Sequence, residues 1–267
     1  MRNMFVFDLD GTIIIDNKML DSILYETLKS LEKREEKIVF ATSRSLRGVK
    51  KVLPKHLLNH PLILCNGAFA VLDNEVIAQA SIPKEVYEKI CYYLEKNNIP
   101  FYLDMGNEIF IPKDSKLDFF KILKEEAKNE RVYYELSNIR GKVYKIGVIT
   151  RISSDILKKI EDISEKIKIY QHTDKTIDIV PENCSKWKML QELGLTADVK
   201  KTIVFGNDAN DMEMIQNADI GVAVCSSNKK LCEVADMRVF DNSPESLVKK
   251  IEDIYEQIGR ASCRERV

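Results

Sequence analysis

The chain alternates short apolar runs with amphipathic helical patterns at both of its ends. Near the beginning, MFVFDLD, KIVFAT and PLILCN are rich in β-branched and aromatic residues, and LDSILYETLKSLEKR and SLRGVKKVL lie between them. Near the end, TIVFGN, DIGVAV and RVF alternate with helical segments in the same way. Continuous apolar runs joined by helices are typical of parallel strands covered on both faces. The pattern therefore predicts an α/β fold with a doubly wound, mostly parallel sheet of about five or six strands.

The middle of the chain follows a different order. Between residues 82 and 179, helical segments alternate with strand pairs such as IPFYLDM and EIFIP, which short polar turns separate. Such an order favours antiparallel pairing with helices on one face. We therefore predict a core formed by residues 1–81 and 180–257 and an inserted α+β cap formed by residues 82–179, with short hinges near Ser81 and Pro181.

The last ten residues, IGRASCRERV, break the helical pattern of ESLVKKIEDIYEQ before them. They resemble the translation of a sequencing adapter. Residues 258–267 are therefore predicted to be a non-native tail and are left out of functional reasoning.

The composition argues against several classes of function. A chain of 267 residues with 45% hydrophobic and 31% charged residues is typical of a globular protein. Because 41 basic residues balance 42 acidic ones, no general attraction to nucleic acid or to an anionic membrane is expected. No apolar stretch approaches the roughly 20 residues of a membrane span, and MRNMFVFDLD lacks the features of a signal peptide. We predict a cytoplasmic monomer or weak homodimer that binds neither nucleic acid nor membranes.

Polar residues follow the predicted parallel strands where those strands end. The groups are Asp8 and Asp10 with Gly11; Thr42, Ser43 and Arg44; Asn66 and Gly67; and Asn207, Asp208, Asn210 and Asp211. Because ligands of open parallel sheets bind beyond the carboxyl ends of the strands, these side chains should share one edge. Turn chemistry explains any single group, and a lone D-x-D-G is about as well explained as an ordinary turn. The coincidence of four groups is harder to explain in that way.

A lysine joins these groups. Lys186, in PENCSKWKML, stands where the inserted segment returns to the core at the start of a predicted helix. A lone lysine is most often a solvated helix charge, but this position makes it a candidate. Carboxylates, a lysine, a hydroxyl and backbone amides on one edge suit a phosphoryl group with Mg²⁺, which prefers hard oxygen ligands. One carboxylate can attack phosphorus while the other moves protons, which explains why the chain carries a pair.

The ordered motifs DLDGT, ATSR, a distal lysine and GNDAND resemble those of the haloacid dehalogenase superfamily. NGA at residues 66–68, the insertion between the second and third motifs, and ANDMEMI followed by DIGVAV resemble its Cof-type, type IIB cap subfamily. The resemblance covers essentially everything before residue 258. It implies a Rossmann-like core, a cap that acts as a lid, and a Mg²⁺-dependent phosphatase of small phosphomonoesters, with sugar phosphates as the favoured class.

The resemblance also implies roles for individual residues. Asp8 would be the nucleophile that forms an aspartyl-phosphate, and Asp10 would be the general acid and base. Mg²⁺ would be held by Asp8, by the backbone carbonyl of Asp10 and by the fourth motif, in which Asn207 and Asp211 are the candidates. The predicted phosphate- and substrate-binding residues are Thr42, Ser43, Arg44, Asn66, Gly67, Lys186 and Asn210.

The fourth motif departs from the family pattern, because Asn207 stands where a metal-binding aspartate is expected. An amide oxygen supplies less charge, so weaker metal affinity is expected, and Asp211 could orient the metal's waters or Lys186 from behind. Two alternatives remain open. One is a phosphosugar mutase, in which a second sugar hydroxyl intercepts the aspartyl-phosphate. The other is a non-catalytic regulatory protein that binds a phosphorylated ligand beside a weakened metal site.

The sequence predicts no catalytic or metal-binding role for the histidines. His56 and His60 have the spacing of metal ligands on a helix, but HLLNHP offers no third ligand. His172 is predicted to be a surface residue of the cap. The turns at residues 104–107 and 138–142 are candidates for substrate contacts of the lid, although a solvated loop is the simpler interpretation of each.

Overall fold

The computed structural model describes residues 2–73, 75–113, 117–150 and 152–264, and of residues 260–264 it describes the backbone alone. Within these ranges the strands form two sheets. In chain order the strands are β1 (Arg2–Phe7), β2 (Lys37–Ala41), β3 (Leu62–Leu64), β4 (Phe69–Leu72), β5 (Glu75–Gln79), β6 (Phe101–Asp104), β7 (Glu108–Phe110), β8 (Arg131–Tyr133), β9 (Lys145–Val148), β10 (Ile167–Gln171), β11 (Ile177–Pro181), β12 (Val199–Gly206), β13 (Ile220–Val224) and β14 (Met237–Val239). The helices are α1 (Ser22–Lys33), α2 (Leu46–Val52), α3 (Lys84–Lys96), α4 (Asp118–Glu126), α5 (Ser154–Glu161), α6 (Lys186–Glu192), α7 (Met212–Asn217), α8 (Lys229–Val234) and α9 (Pro244–Arg264).

The larger sheet has eight strands in the order β14-β13-β12-β1-β2-β3-β4-β5. The six strands from β14 to β3 are parallel, as predicted, and β1 lies at their centre between β12 and β2. Side chains of β1 alternate between two apolar clusters, with Phe5 and Phe7 on one face and Met4 and Val6 on the other. Both faces of β1 are therefore covered, and the chain can carry a charge only where the strand ends. The α/β class with a mostly parallel sheet is confirmed.

The antiparallel hairpin of β4 and β5 at one edge of this sheet is missing from the sequence prediction. Its outer strand is largely exposed, and Val76 and Ile77 keep 49% and 42% of their surface accessible. An exposed edge strand has no continuous buried run, so the pattern used to recognise the parallel strands could not reveal it.

The smaller sheet has six strands in the order β10-β11-β9-β6-β7-β8 and is antiparallel except between β7 and β8. Those two strands are parallel because α4 connects them as a crossover. Phe120 of α4 packs with Ile109, whereas Phe110, the next residue of β7, packs with Ile90 of α3. The expectation that all helices cover one face is therefore wrong, because alternate residues of β7 bury their side chains against helices on opposite faces.

The last described helix, α9, continues to Arg264, and Ile258 is 6% exposed within the core cluster. The expected break in the helix at residue 258 is therefore wrong, because Ile258 continues the apolar spacing of Ile251 and Ile254. Residues 265–267 of the predicted tail lie outside the described residues. The domain boundaries at residues 81 and 180 stay a prediction.

None of the described helices has a stretch long and apolar enough for a membrane span.

Candidate active site

Asp8 directly follows β1, the central strand of the larger sheet. Its backbone N–H donates to the carbonyl of Phe205 at 2.9 Å, which continues the ladder with β12. Its side chain is buried, and Thr12 donates to Oδ2 at 3.1 Å while the Lys186 ammonium donates to Oδ1 at 2.7 Å. Burial and then the nearby Asp211 carboxylate raise the pKa of Asp8 to about 7, and Lys186 opposes that rise. A carboxylate in this position needs a positive partner to remain ionised at neutral pH.

Lys186 supplies such a partner from the first residue of α6. The Ser185 hydroxyl caps this helix by accepting from the backbone N–H of Lys188 at 3.0 Å. The Lys186 ammonium bridges two carboxylates, with Nζ 2.7 Å from Asp8 and 2.6 Å from Asp211. Burial alone lowers the pKa of Lys186, but Asp211 and Asp8 raise it above the usual range. The lysine is therefore charged, and it lies behind Asp8 in the protein interior.

The close approach of α6 to the sheet depends on Gly67. This residue has φ +92°, and an added Cβ would lie 2.2 Å from the carbonyl oxygen of Ser185. The preceding Cys65 and Asn66 also have positive φ, at 49° and 56°. The backbone therefore turns sharply after β3 and leaves room for the start of α6 beside Lys186.

Replacing Gly67 with alanine should lower the free energy of unfolding by more than the roughly 1–2 kcal/mol that left-handed backbone alone costs. The matched control is Gly194→Ala, because Gly194 also has positive φ, at 63°, but nothing lies within 4 Å of its added Cβ. Urea unfolding of the two variants separates the steric clash from the backbone strain. Equal losses in both variants would show that contact between Gly67 and Ser185 has no role.

The loop after β12 is held by Asp211. Its Oδ2 accepts from the backbone N–H groups of Asn207 at 2.8 Å and Asp208 at 3.1 Å, while Oδ1 accepts from Lys186. Both oxygens of Asp211 are therefore engaged with protein groups, and the residue orients the loop and Lys186. Asn207 lies against Gly11, where an added Cβ would come 2.0 Å from the Asn207 Nδ2 atom. The absence of a side chain at Gly11 brings Asn207 beside the turn that follows Asp8.

Asp10 is oriented by an arginine. Arg44 Nε donates to Asp10 Oδ2 at 2.7 Å and Nη2 donates to Oδ1 at 2.6 Å, in a bidentate pair. The same guanidinium also donates to Asn17 and to the carbonyl of Gly48. The Asp10 side chain keeps 45% of its surface accessible. Arg44, which was predicted to bind phosphate, therefore donates its hydrogen bonds to protein groups in this structure. It holds Asp10 at the edge formed by the strand ends.

The predicted residues Thr42 and Asn66 are fully buried. The Thr42 hydroxyl accepts from the backbone N–H of Arg44 at 3.1 Å. The Asn66 Oδ1 atom accepts from the Asn210 amide at 2.8 Å, and the Asn66 Nδ2 atom donates to Asp178 at 2.8 Å. These side chains connect the strand ends of the larger sheet to one another and to the smaller sheet. Their predicted phosphate-binding roles stay a prediction.

His172 connects the two sheets, although the sequence analysis predicted a surface position. Its Nδ1 lies 3.3 Å from Asp208 and its Nε2 lies 3.2 Å from Asp178. The backbone N–H of Thr173 donates to the same Asp208 oxygen at 3.0 Å. The His172 side chain is only 12% exposed, because the end of β10 lies over the loop that follows β12. The surface prediction for His172 is therefore wrong.

The charge of His172 makes stability depend on pH. Burial alone lowers the pKa of His172, but hydrogen bonds to Asp178 and Asp208 raise it to about 10. Because the folded pKa is raised, this stabilisation is complete below the unfolded value near 6.5 and is lost as pH rises towards about 10. We expect His172→Gln to lower the free energy of unfolding at pH 6 by about 1–3 kcal/mol and to flatten its decline over this window.

Urea unfolding between pH 6 and 10 measures this effect. The control is His56→Gln, since His56 pairs with Glu32 but has a side chain 39% exposed. An unchanged pH profile in His172→Gln would contradict the role given to its charge.

Other contacts between the two sheets also escaped the sequence analysis. The Arg47 guanidinium on α2 pairs with Asp104 of β6 at 2.7 Å. Lys145 of β9 donates to the carbonyl of Ser43 at 2.8 Å and pairs with Asp178 at 3.1 Å. The sequence contained one indication of these contacts. Lys145 and Asp178 are charged residues inside the apolar runs VYKIGVIT and TIDIVP.

A cavity of about 510 Å³ opens between the strand ends of the larger sheet and the smaller sheet. The predicted site residues that line it are Asp8, Asp10, Ser43, Arg44, Asn207 and Asn210. The others, Thr42, Asn66, Gly67, Lys186 and Asp211, lie behind this lining. Of the two predicted lid turns, the first contributes Asp104 to the lining and the second, at residues 138–142, contributes no residue to it.

The cavity offers hard oxygen donors to a cation. The Asp8 carboxylate and the Asn207 amide line it together with Asp10, whose backbone carbonyl is the third predicted donor. No cluster of three or more His, Cys, Asp or Glu side chains suited to a metal occurs in the part of the chain that the structure describes. This donor set is nevertheless compatible with Mg²⁺, which commonly takes one or two carboxylates and keeps several waters. His56 and His60 both contact Glu32 instead.

Comparison with known proteins agrees with this architecture. Residues 5–251 match the family of haloacid dehalogenase-like hydrolases, so the chain belongs to that family. YkrA of Bacillus subtilis is 24% identical over 236 residues, which cover 86% of this chain and 89% of that protein. The HMP-PP phosphatase of Shigella flexneri is 23% identical over 235 residues, which cover 83% of each chain.

Solved structures show the same fold. The HAD subclass IIB sugar phosphatase BT4131 aligns with a TM-score of 0.77 and 20% identity, covering 95% of this chain and 99% of its own. SMU.1108c of Streptococcus mutans UA159 aligns with a TM-score of 0.82 and 19% identity, covering 96% of this chain and 100% of its own. The family and the enzyme class predicted from the sequence, a phosphatase of the haloacid dehalogenase type, are confirmed.

Proposed function

We propose that this enzyme is a Mg²⁺-dependent phosphatase that hydrolyses small phosphomonoesters through an aspartyl-phosphate on Asp8. The observation that carries this proposal is the position of Asp8. A buried carboxylate lies at the end of the central strand, held by Thr12 and Lys186, and lines a cavity of about 510 Å³ that Asp10 also lines. Two carboxylates with such different surroundings can divide nucleophilic attack and proton transfer between them.

The two carboxylates would divide the chemistry between them. Asp8 attacks phosphorus and the bond to the leaving oxygen breaks, while Asp10 gives that oxygen a proton. Asp10 then takes a proton from water, which attacks phosphorus and frees the Asp8 carboxylate. The bidentate pair with Arg44 holds Asp10 at the edge formed by the strand ends, in an arrangement that suits the step in which Asp10 takes a proton from water. One of these two hydrogen bonds would open when Asp10 carries the proton for the leaving oxygen, and its accessible surface suits contact with the leaving group and with water.

The surrounding residues support this division. Lys186 favours the ionised form of Asp8 and fixes its position, and Ser43 and Asn210 lie in the lining where phosphoryl oxygens would be received. Asp8, Asn207 and the backbone carbonyl of Asp10 would hold Mg²⁺, with Asp211 fixing the loop from behind. The ion, when bound, neutralises charge on the phosphoryl oxygens.

The direct test is a screen for phosphate release across sugar phosphates, nucleotides, and flavin and pyridoxal phosphates with added Mg²⁺. The proposal expects inorganic phosphate from at least one small monoester. Conversion of a sugar phosphate to its isomer without free phosphate would instead favour the mutase. Tight binding of a phosphorylated ligand without turnover at saturating Mg²⁺ would favour the regulatory alternative.

Replacing Asn207 with aspartate should strengthen Mg²⁺ binding. A carboxylate at this position adds negative charge to the proposed donor set, so we expect the half-saturating Mg²⁺ concentration to fall by about tenfold. Phosphate release measured over a range of Mg²⁺ concentrations gives this half-saturating concentration. The matched control is Asn183→Asp, which adds the same charge at an exposed position outside the cavity lining. Equal half-saturation in wild type and Asn207→Asp would contradict this role of residue 207.

The remaining expectations also belong to this proposal. We propose a cytoplasmic enzyme, a monomer or weak homodimer, whose partner is its phosphorylated substrate. The near-balance of 41 basic and 42 acidic residues supports the expectation of no nucleic acid or membrane partner. Size-exclusion chromatography with light scattering would test the oligomeric state.

A further inference from the structure

The wall that the smaller sheet and α4 contribute to the cavity contains a group of apolar residues. Its apolar members are Tyr102, Phe119, Ile122, Leu123, Val148 and Ile149, with Ile177 from β11. Phe119 and Ile122 are 39% and 46% exposed although both are large and apolar. Side chains of this kind at the mouth of an enzyme cavity are common where an apolar part of a ligand binds.

The aromatic part of this wall is built in a defined way. An added Cβ at Gly147 would lie 2.2 Å from the Tyr102 ring, so the Tyr102 ring packs directly on the backbone of β9. The rings of Tyr102 and Phe119 lie 5.7 Å apart at 41°, and Phe119 also contacts the buried Phe120 edge-on at 5.9 Å. Phe119 is therefore supported from two sides and still keeps 39% of its surface accessible.

The charged groups on the same wall already have protein partners: Asp174 accepts from Thr176, and the others form ion pairs. Asp104 binds Arg47, Lys145 binds Asp178 and the Ser43 carbonyl, and His172 binds Asp178 and Asp208. Glu126 of α4 pairs with Lys51. The hydroxyl groups of a sugar need free donors and acceptors, and Asp104, Lys145, Asp178 and His172 could bind one only by giving up part of a buried ion pair.

The opposite wall of the cavity carries polar side chains at the proposed catalytic site. It is formed by the strand ends of the larger sheet and carries Asp8, Asp10, Ser43 and Asn207. One end of the cavity thus suits a phosphoryl group, and the other end offers apolar surface. A volume of about 510 Å³ accommodates a phosphate joined to a small ring system.

We propose that the physiological substrate is a phosphomonoester whose leaving group carries a flat aromatic ring, and that this ring packs against Phe119, Ile122 and Tyr102. This proposal rests on the phosphatase function proposed above and narrows its substrate class. It replaces the sugar phosphates that the family resemblance favours. Aromatic packing of this kind has a preferred offset or edge-on geometry, which the two tilted rings provide.

The test compares three esters of primary alcohols, so that leaving-group chemistry stays similar. The probes are 2-phenylethyl phosphate, ethyl phosphate, which lacks the ring, and glucose 6-phosphate. With Mg²⁺ present, we expect kcat/KM for 2-phenylethyl phosphate to exceed that for each of the others by about tenfold or more. Equal or higher kcat/KM for glucose 6-phosphate would overturn the proposal.

A variant locates the effect. Phe119→Ala should lower kcat/KM for 2-phenylethyl phosphate by about tenfold, mainly through KM, and leave ethyl phosphate unchanged. Leu117→Ala is the matched control, because Leu117 is 45% exposed just before the same helix but lies outside the cavity lining. A loss in Phe119→Ala that is equal for both esters would overturn the contact with the ring.

Failure of the phosphatase function has a different signature. If none of the esters released phosphate, calorimetric titration of the wild-type protein would still compare their binding. Tighter binding of 2-phenylethyl phosphate than of ethyl phosphate, lost in Phe119→Ala, would support the aromatic site and remove the hydrolytic function. Equal affinities would overturn the aromatic site itself.

Discussion

Asp8→Asn is expected to abolish phosphate release while the protein remains folded. The amide cannot attack phosphorus as the carboxylate does, so we expect a loss in kcat of at least about a thousandfold. The fold should persist because Lys186 keeps Asp211 as its partner at 2.6 Å and Thr12 keeps a hydrogen-bond acceptor at residue 8. Phosphate release and urea unfolding, measured on the same preparation, provide the two readouts.

The control for this variant is Asp16→Asn. The Asp16 side chain is 72% exposed and pairs with Lys18 on a surface turn, so its substitution should leave turnover unchanged. Full residual activity in Asp8→Asn would refute covalent catalysis by this residue.

Lys186→Met is expected to have the largest effect on stability. Without the ammonium group, the carboxylates of Asp8 and Asp211 would share a buried site with no cation between them. Removing one partner of a buried ion pair costs about 3–5 kcal/mol, and we expect a loss of that size in the free energy of unfolding at pH 7. Activity should also be lost, because Asp8 would bind a proton more readily.

The matched control is Lys188→Met on the same helix, where the side chain is exposed. A second variant separates charge from packing. Adding Asp211→Asn to Lys186→Met removes one of the uncompensated charges and should recover part of the stability without recovering activity. If Lys186→Met were as stable as Lys188→Met in urea, the account of the buried trio would be wrong.

The residues that follow the parallel strands could be predicted from the sequence because their signal is local. An apolar run that ends in DLDGT, ATSR or GNDAND predicts both a strand and the polar residues at its end. The position of Lys186 at the start of a helix could be predicted for the same reason, and α6 does begin there. Local patterns also predicted the strands IPFYLDM and EIFIP of the smaller sheet, which correspond to β6 and β7.

The contacts between the two sheets could not be predicted in this way. His172 and Asp208 are 36 residues apart, and Arg47 and Asp104 are 57 apart, so their pairing depends on how two separately formed sheets pack together. The same holds for Phe119, which resembles any other apolar residue on an amphipathic helix until the cavity is seen. The hydrogen bonds of Asn66 to Asp178 and Asn210 and the contact of Gly67 with Ser185 were equally out of reach, because they depend on tertiary structure.

The central claim is that phosphorus becomes covalently bound to the carboxylate of residue 8. Rapid quenching during turnover, reduction with borohydride and peptide mass spectrometry test it directly, because borohydride converts an acyl phosphate to an alcohol. The account predicts homoserine in place of Asp8 only when substrate and Mg²⁺ are present. Turnover that leaves residue 8 unmodified while another residue is reduced would contradict it.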